Sequence, residues 1–434
     1  MPPARPARSC RSPRTPRCCP RLPSPLKGHD VSAIVLPLRI PDTVTPLGDW
    51  LPEVKDDLTL VTSGDAEPGY RRQLPHVLAT SSYSTGPEVE DLLDDLCGAG
   101  GVRTLVHVTE DDILRCARVR DRHGLPGLRY EQALPWRDKL IMKGIVSGHG
   151  VPTPRYLRPA SFAEAERFAR RVGYPVVVKP RLGYASMGVG LVGDADELRR
   201  AAEAWDPDDV MLESFTQGDV LHIDGFMHDG EVLYVQASRY LNNCLSFHDA
   251  LPLGSVQLDR DGEEHARLAR FAERVVAALP PVDFSPFHLE VFRKPGAGDL
   301  EFCEIACRLG GAHIMEALTY ATGVNPARLW IRHQIGLQNG PETPLADTGR
   351  RYGWLLVPPR RGRLVRVSEP PPVEFIKDFI VKTAVPRDFD GAHGSTDSYL
   401  AFVVDGASEH EVESNLRKCI DIAAECSEWE GADV

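Results

Sequence analysis

The sequence predicts a mixed α/β (α+β) protein built from several units, and three observations carry that expectation. The chain has 434 residues, more than one ordinary domain of about 100–200 residues holds. After residue 31, short β-branched runs alternate with helical patterns, as in a parallel sheet covered by helices. Beyond residue 210 the pattern changes to strands paired through short turns, as in an antiparallel sheet.

The first thirty residues stand apart, with six Arg and one Lys against one Asp, eight Pro and three of the ten Cys. Such a stretch buries too little apolar surface to fold. It has no apolar core of a secretory signal, and its Pro content opposes the amphipathic helix of a transit peptide. The expectation is a disordered extension, or upstream sequence ahead of a true start near Val31.

From Val31 to Leu128 a parallel α/β domain is expected, with strands at "VSAIVLPL", "LTLVTSG", "HVLATSS" and "RTLVHVTE" and helices at "PEVEDLLDDLCGAG" and "DDILRCARVRDRHG". A second unit over 129–345 opens with the amphipathic helix "WRDKLIMKGIVSGHG". Within it, 151–215 forms a smaller subdomain, where Ser161 and Glu164 suit a capping box ahead of the strand "YPVVVKP". Strands at "VMLESF" and around the turn "HDG", a helix at "EEHARLARFAERVVAAL" and the hairpin "PFHLEVFR"/"DLEFCEIACR" follow. Residues 346–434 read as an α+β region, with strands at "GWLLVP", "EFIKDFIVKTAV" and "SYLAFVVDG" before the helix "EHEVESNLRKCIDIAAE".

The whole chain carries −12, and the tail has seven basic residues against one acidic, so residues 31–434 carry −18. That charge, with no basic stripe, speaks against a nucleic-acid partner, and no apolar run reaches the roughly 18 residues of a membrane span. The seven cysteines of the body are scattered without a CxxC pair, as in a reduced, cytoplasmic protein.

One hairpin is chemically conspicuous. His288, Glu290 and Phe292 share one face of its first strand, and Phe302, Glu304, Ala306 and Arg308 one face of its second. A symmetric turn about Ala297 sets Glu290 directly opposite Glu304. Like charges so placed are destabilising unless one is neutralised or a cation joins them. Mg²⁺ suits two carboxylates that share a site with nucleotide phosphates. A register slip would instead leave two unrelated, solvent-facing glutamates.

A second stretch, "YPVVVKPRLGYASMGVGLV", ends a buried strand at Lys179 and continues into a loop with Gly183, Ser186 and Gly188 that suits phosphate oxygens. "GVGLVG" matches GxGxxG but runs into a strand, so it fails the context of a dinucleotide fingerprint. No P-loop, GxSxG elbow or HExxH motif occurs.

Taken in order, "RDKLIMK", "YPVVVKPRLGYASMGVGLV", "MLESFTQGD", "FHLEVF" and "EFCEIACRLGG" resemble the ATP-grasp superfamily over most of residues 31–434. The resemblance implies an ATP-grasp fold: an N-terminal parallel preATP-grasp domain, two subdomains of antiparallel sheet plus helices, and a C-terminal α+β element. It makes Lys139 and Lys179 phosphate-binding lysines and puts the loop around Ser186 and Gly188 over the β- and γ-phosphates. Glu213 and the backbone near Ser214 and Phe215 would meet adenine, Asp219 the ribose hydroxyls, and Phe292 the base. Glu290 and Glu304 would hold Mg²⁺ or Mn²⁺. Arg308 would face the transferred phosphate and the acyl intermediate, His288 could also reach that site, and Gly310 and Gly311 would admit a substrate. Asp219 stands where the family usually has Glu, and Ala306 where many members have a metal-binding Asn.

What the resemblance implies is an ADP-forming ligase that joins a small carboxylate to an amine, such as amino acids or peptides, through an acyl phosphate. It looks most like the L-amino-acid (dipeptide) ligases and the ligase domain of carnosine synthase, and allows a homodimer. A biotin-carboxylase-like carboxylase and an ATP-binding module without turnover are the rival readings.

Overall fold

A computed structural model of the chain describes residues 33–242, 251–296, 298–394 and 397–431. The N-terminal tail with Val31, the segment "NCLSFHDA" with Cys244, and Ala297, about which the turn was expected to centre, lie outside the described residues.

The N-terminal sheet is parallel, in the order His76–Thr80, Leu58–Ser63, Ile34–Pro37, Thr104–Leu105. Helices Glu88–Gly98 and Glu110–His123 pack on it through Leu93, Cys116 and Val119, all fully buried. On the other face Leu36, Leu58 and Leu60 join Trp330 and Ile331 of helix Pro326–Gln334, so this layer is docked onto the later part of the chain. That helix and its predecessor, Ile314–Thr322, are additional to the elements expected from the sequence.

The central feature is an eight-stranded sheet in the order 300–306, 285–293, 219–228, 231–240, 253–257, 351–357, 400–406, 376–381. Its described pairs are antiparallel. The C-terminal strands continue the same sheet as the hairpin that carries Glu290 and Glu304. Strands 219–228 and 231–240 turn at Asp229–Gly230, both at positive φ (49° and 86°), as a two-residue hairpin requires. Helix Glu263–Ala278 covers one face through Leu268, Ala272 and Val275, against Leu221, Ile223, Leu289 and Phe302. Burying such a side chain contributes about 1.5–3 kcal/mol.

A four-stranded sheet (156–157, 210–214, 176–180, 190–192) carries the expected lysine strand. The cap of its helix Phe162–Val172 differs slightly from the sequence reading. Ser161 accepts from Glu164 N at 3.3 Å, but Glu164 reaches back to Ala160 N at 2.7 Å rather than to Ser161. The cysteines Cys97, Cys116, Cys303, Cys307, Cys419 and Cys426 are free and buried. Among the described residues no helix is long and apolar enough to cross a membrane.

Candidate nucleotide and metal site

Glu290 pairs directly with Glu304 across the hairpin. The symmetric register does not persist, however. Beyond Glu290 it shifts by one, so that Val291 faces Phe302 and Phe292 faces Glu301. Cys303 is the extra residue of a β-bulge, and such a residue re-aims its neighbours. Phe302 therefore does not share the face of Glu304 as its spacing predicts: it is fully buried in the core, while Cys303 and Glu304 both line a cleft.

That cleft measures about 710 Å³, within the range of about 300–1,000 Å³ usual for ligand sites. Its walls bring together Lys139, Lys179, Ser186, Glu213, Ser214, Phe215, Glu290, Phe292 and Glu304. Gly188 holds the neighbouring loop with φ at 72°, where an added Cβ would lie 2.9 Å from Pro180 Cγ. Ala185 and Ser186 adopt positive φ (50° and 58°) without being glycine, backbone strain of the kind found at ligand clamps. Asp219 is placed differently: its carboxylate lies 2.5 Å from Arg293 Nη2 and is largely exposed, while its neighbours Gly218 and Val220 line the cleft.

Charge in the cleft is closely matched. Lys139, at the start of helix Lys139–Gly148, donates to Gly183 O and lies 3.4 Å from Glu304 Oε2. Burial would push the Glu304 carboxyl up, but Lys139 and Lys179 hold it below the usual range. Glu213 Oε1 lies 3.0 Å from Lys179 Nζ and 3.1 Å from Lys143 Nζ. Burial raises the Glu213 carboxyl and the two ammonium groups overcome that, leaving it lowered. The two lysines shift oppositely despite sharing one partner. Burial wins at Lys143, which is lowered and also repelled by Lys179, whereas Glu213, Cys303 and Glu304 raise Lys179 against its own burial.

Lys143 was not singled out in the sequence, although it lies four residues after Lys139 on the same helical face. It donates to Cys303 O at 2.7 Å, with Phe302 O at 3.4 Å, and so holds the bulge itself.

At the far end, Arg308 pairs with Glu110, which also accepts from Arg137 Nη1 at 2.5 Å. Arg137 Nη2 donates to Leu182 O of the loop at 2.6 Å. Burial raises the Glu110 carboxyl, and the two arginines overcome it. Nothing in the spacing of Glu110 and Arg137 pointed to this cluster.

His288 Nδ1 lies 2.8 Å from Asp224 Oδ1, and its Nε2 is 3.8 Å from Glu290 Oε1, which accepts from Tyr240 Oη at 3.0 Å. Although burial lowers it, Asp224 raises the imidazole to about 9. His222 holds the other Asp224 oxygen at 2.6 Å and Ser255 Oγ at 2.6 Å. The polar pair His222 and Asp224, two apart in an otherwise apolar strand, was a same-face signal available in the sequence. Gly310 fits against this group: a Cβ there would lie 2.7 Å from Asp224 Oδ1 and 2.9 Å from His288 Nδ1. Around Gly311 there is open space.

Residues 138–228 match the family model described as "Carbamoyl-phosphate synthase L chain, ATP binding domain". An L-arginine-specific L-amino acid ligase of Bacillus subtilis is 24% identical over 71% of this chain and 75% of its own length. The crystal structure of an L-amino acid ligase from Bacillus licheniformis superposes with a TM-score of 0.69 and 17% identity, covering 90% of this chain and 97% of that one. The biotin carboxylase domain of a Hydrogenobacter thermophilus 2-oxoglutarate carboxylase, crystallised with MgADP and bicarbonate, superposes at 0.64 with 17% identity, covering 93% and 92%. With these relatives beside the eight-stranded sheet and its lysine- and carboxylate-lined cleft, the chain has the fold of these ligase and carboxylase structures and carries, over residues 138–228, a match to an ATP-binding domain.

Proposed function

We propose that the chain joins the carboxylate of one amino acid or small peptide to the amine of another, with ATP converted to ADP and phosphate. The observation that carries this reading is Glu290 opposite Glu304 in a cleft that also holds Lys139 and Lys179. The pair suits a hard divalent cation, Mg²⁺ or Mn²⁺, because both donors are carboxylate oxygens and face one another on adjoining strands. When bound, such an ion would neutralise charge on the transferred phosphoryl group.

The chain's own residues supply position and charge. Lys139 and Lys179 meet the phosphates, and the loop at Ser186 and Gly188 covers them. Phe215 and Phe292 offer apolar faces for the base, with Glu213 and Ser214 behind it. Arg308 faces the acyl phosphate formed when the substrate carboxylate attacks the γ-phosphate. The amine then attacks that carbonyl, the amide forms and phosphate leaves. Gly310 and Gly311 floor the approach of the amine, and Glu110 keeps Arg308 aimed.

Amino-acid pairs with ATP and Mg²⁺ test this, with ADP release and product mass as readouts. Stimulated ADP formation and a product one water lighter than its parts are expected. ATP binding without stimulation by any amino acid or peptide overturns the reading in favour of a non-catalytic module, the alternative that Ala306 favours. ADP release dependent on bicarbonate and biotin would favour a carboxylase.

A further inference from the structure

Helix Ile314–Thr322 carries a row of polar side chains that its packing does not use. Its apolar face, with Ile314, Ala317, Leu318 and Ala321, packs with Trp354 and Val403 of the central sheet. Beside that face His313, Glu316 and Tyr320 follow at intervals of three and four, along about 10 Å of helix. They border Asp378 of the edge strand Ile376–Val381, which stands opposite Val403, itself opposite Trp354. The row begins just past Arg308 and the open space around Gly311.

This row is acidic and short of cations. Tyr320 Oη donates to Asp378 Oδ1 at 2.9 Å. Glu316 Oε1 lies 3.4 Å from His313 Nδ1. Glu316 Oε2 and both ring nitrogens of His313, a residue only 7% exposed, are nevertheless buried without a hydrogen-bond partner among the described residues. Neither carboxylate forms an ion pair with a Lys or Arg among those residues. Lys382 senses the charge of Glu316 but is exposed and pairs with neither. Burial raises the Asp378 carboxyl; the Tyr320 hydrogen bond opposes this, and the charge of Glu316 adds to it. Carboxylates held near one another out of water are costly until a cation joins them.

We propose that Glu316 and Asp378, with His313 and Tyr320 beside them, receive the positively charged side-chain end, ammonium or guanidinium, of a basic amino acid that is one of the two ligated substrates. The proposal rests on the ligase reading of the cleft and names the class of substrate it serves. The cation gives Glu316 Oε2 the donor it lacks, in a charge-assisted hydrogen bond. A neutral side chain of the same shape leaves both carboxylates unpaired, so discrimination comes from penalty as well as attraction.

The test compares L-arginine with L-citrulline, and L-lysine with L-norleucine, each pair alike in shape and different in charge. Calorimetric titration into the full chain with Mg²⁺ and ADP reads binding, and ADP release with ATP and a panel of second amino acids reads turnover. In at least one pair the charged member is expected to bind about tenfold or more tightly, the scale of one charge-assisted contact. In Glu316→Gln and in Asp378→Asn, with thermal unfolding as in the wild type, that preference should shrink to within about threefold. Equal binding of both members in both pairs overturns the proposal and leaves the ligase reading standing. So does a preference that neither variant changes, or a loss equal for charged and neutral members, which would assign the carboxylates to the α-ammonium group or to the fold. ADP release from no amino-acid pair removes the ligase reading and this proposal with it.

Discussion

Lys143 and Glu213 meet at 3.1 Å as an almost fully buried ion pair beneath the cleft. Removing one member of a buried ion pair strands the other charge, which costs about 3–5 kcal/mol when no second partner exists. Glu213 retains Lys179, so Lys143→Met should lower the unfolding free energy by about 3 kcal/mol in urea titrations. Glu213→Gln alone removes the partner of both lysines, so the double variant should lose less than the sum of the two single losses, and strictly additive losses would refute the coupling.

Glu213 also sets an acid limit. Its carboxyl is lower in the folded chain than in the unfolded one. The stability it contributes is complete above the unfolded value of about 4.3 and is lost as pH falls through the lower folded value. Stability measured from about pH 5 to pH 3 should therefore fall less steeply in Glu213→Gln than in the wild type. Parallel curves would contradict the assignment.

Glu304→Gln keeps the volume of the side chain and removes its charge. ADP formation should drop on the order of 10²- to 10³-fold, the scale of a lost electrostatic contact in the transition state. Since about a third of this side chain is exposed, the unfolding free energy should change by less than about 1 kcal/mol. Wild-type turnover in the variant would exclude Glu304 from the site.

Gly310→Ala inserts a methyl 2.5 Å from Ile314 Cδ1 and 2.7 Å from Asp224 Oδ1. The displaced Asp224 would no longer hold His288 in place. We expect kcat to fall about tenfold or more, because sub-ångström misplacement near reacting groups is costly, while KM for ATP stays within about threefold. Equal activity would show that the contact relaxes harmlessly.

The hairpin was legible because strand period and turn length are local properties. Glu290 and Glu304 face one another as their spacing predicts. The bulge at Cys303 was not legible, since an inserted residue is settled by what lies beneath the strand. Here that is Lys143, bonded to the carbonyls on either side of the bulge from 160 residues earlier in the chain. Asp219 is a similar case: its ion pair with Arg293 arises only once the strands bearing them lie side by side. The parallel N-terminal sheet and the long C-terminal helix were written in apolar periodicity. Helix Ile314–Thr322 was missed although Ile314, Ala317, Leu318 and Ala321 recur at helical spacing, because the glycines just before it were read as the end of the hairpin rather than the approach to a helix.

The contact between Arg308 and Glu110 spans 198 positions of sequence. Closing a loop of that length is among the slow, entropically late steps of folding. Until it closes, Arg308 lacks the Glu110 carboxylate that balances its charge. The side chain proposed to face the acyl phosphate is therefore set only when the N-terminal layer meets the central sheet.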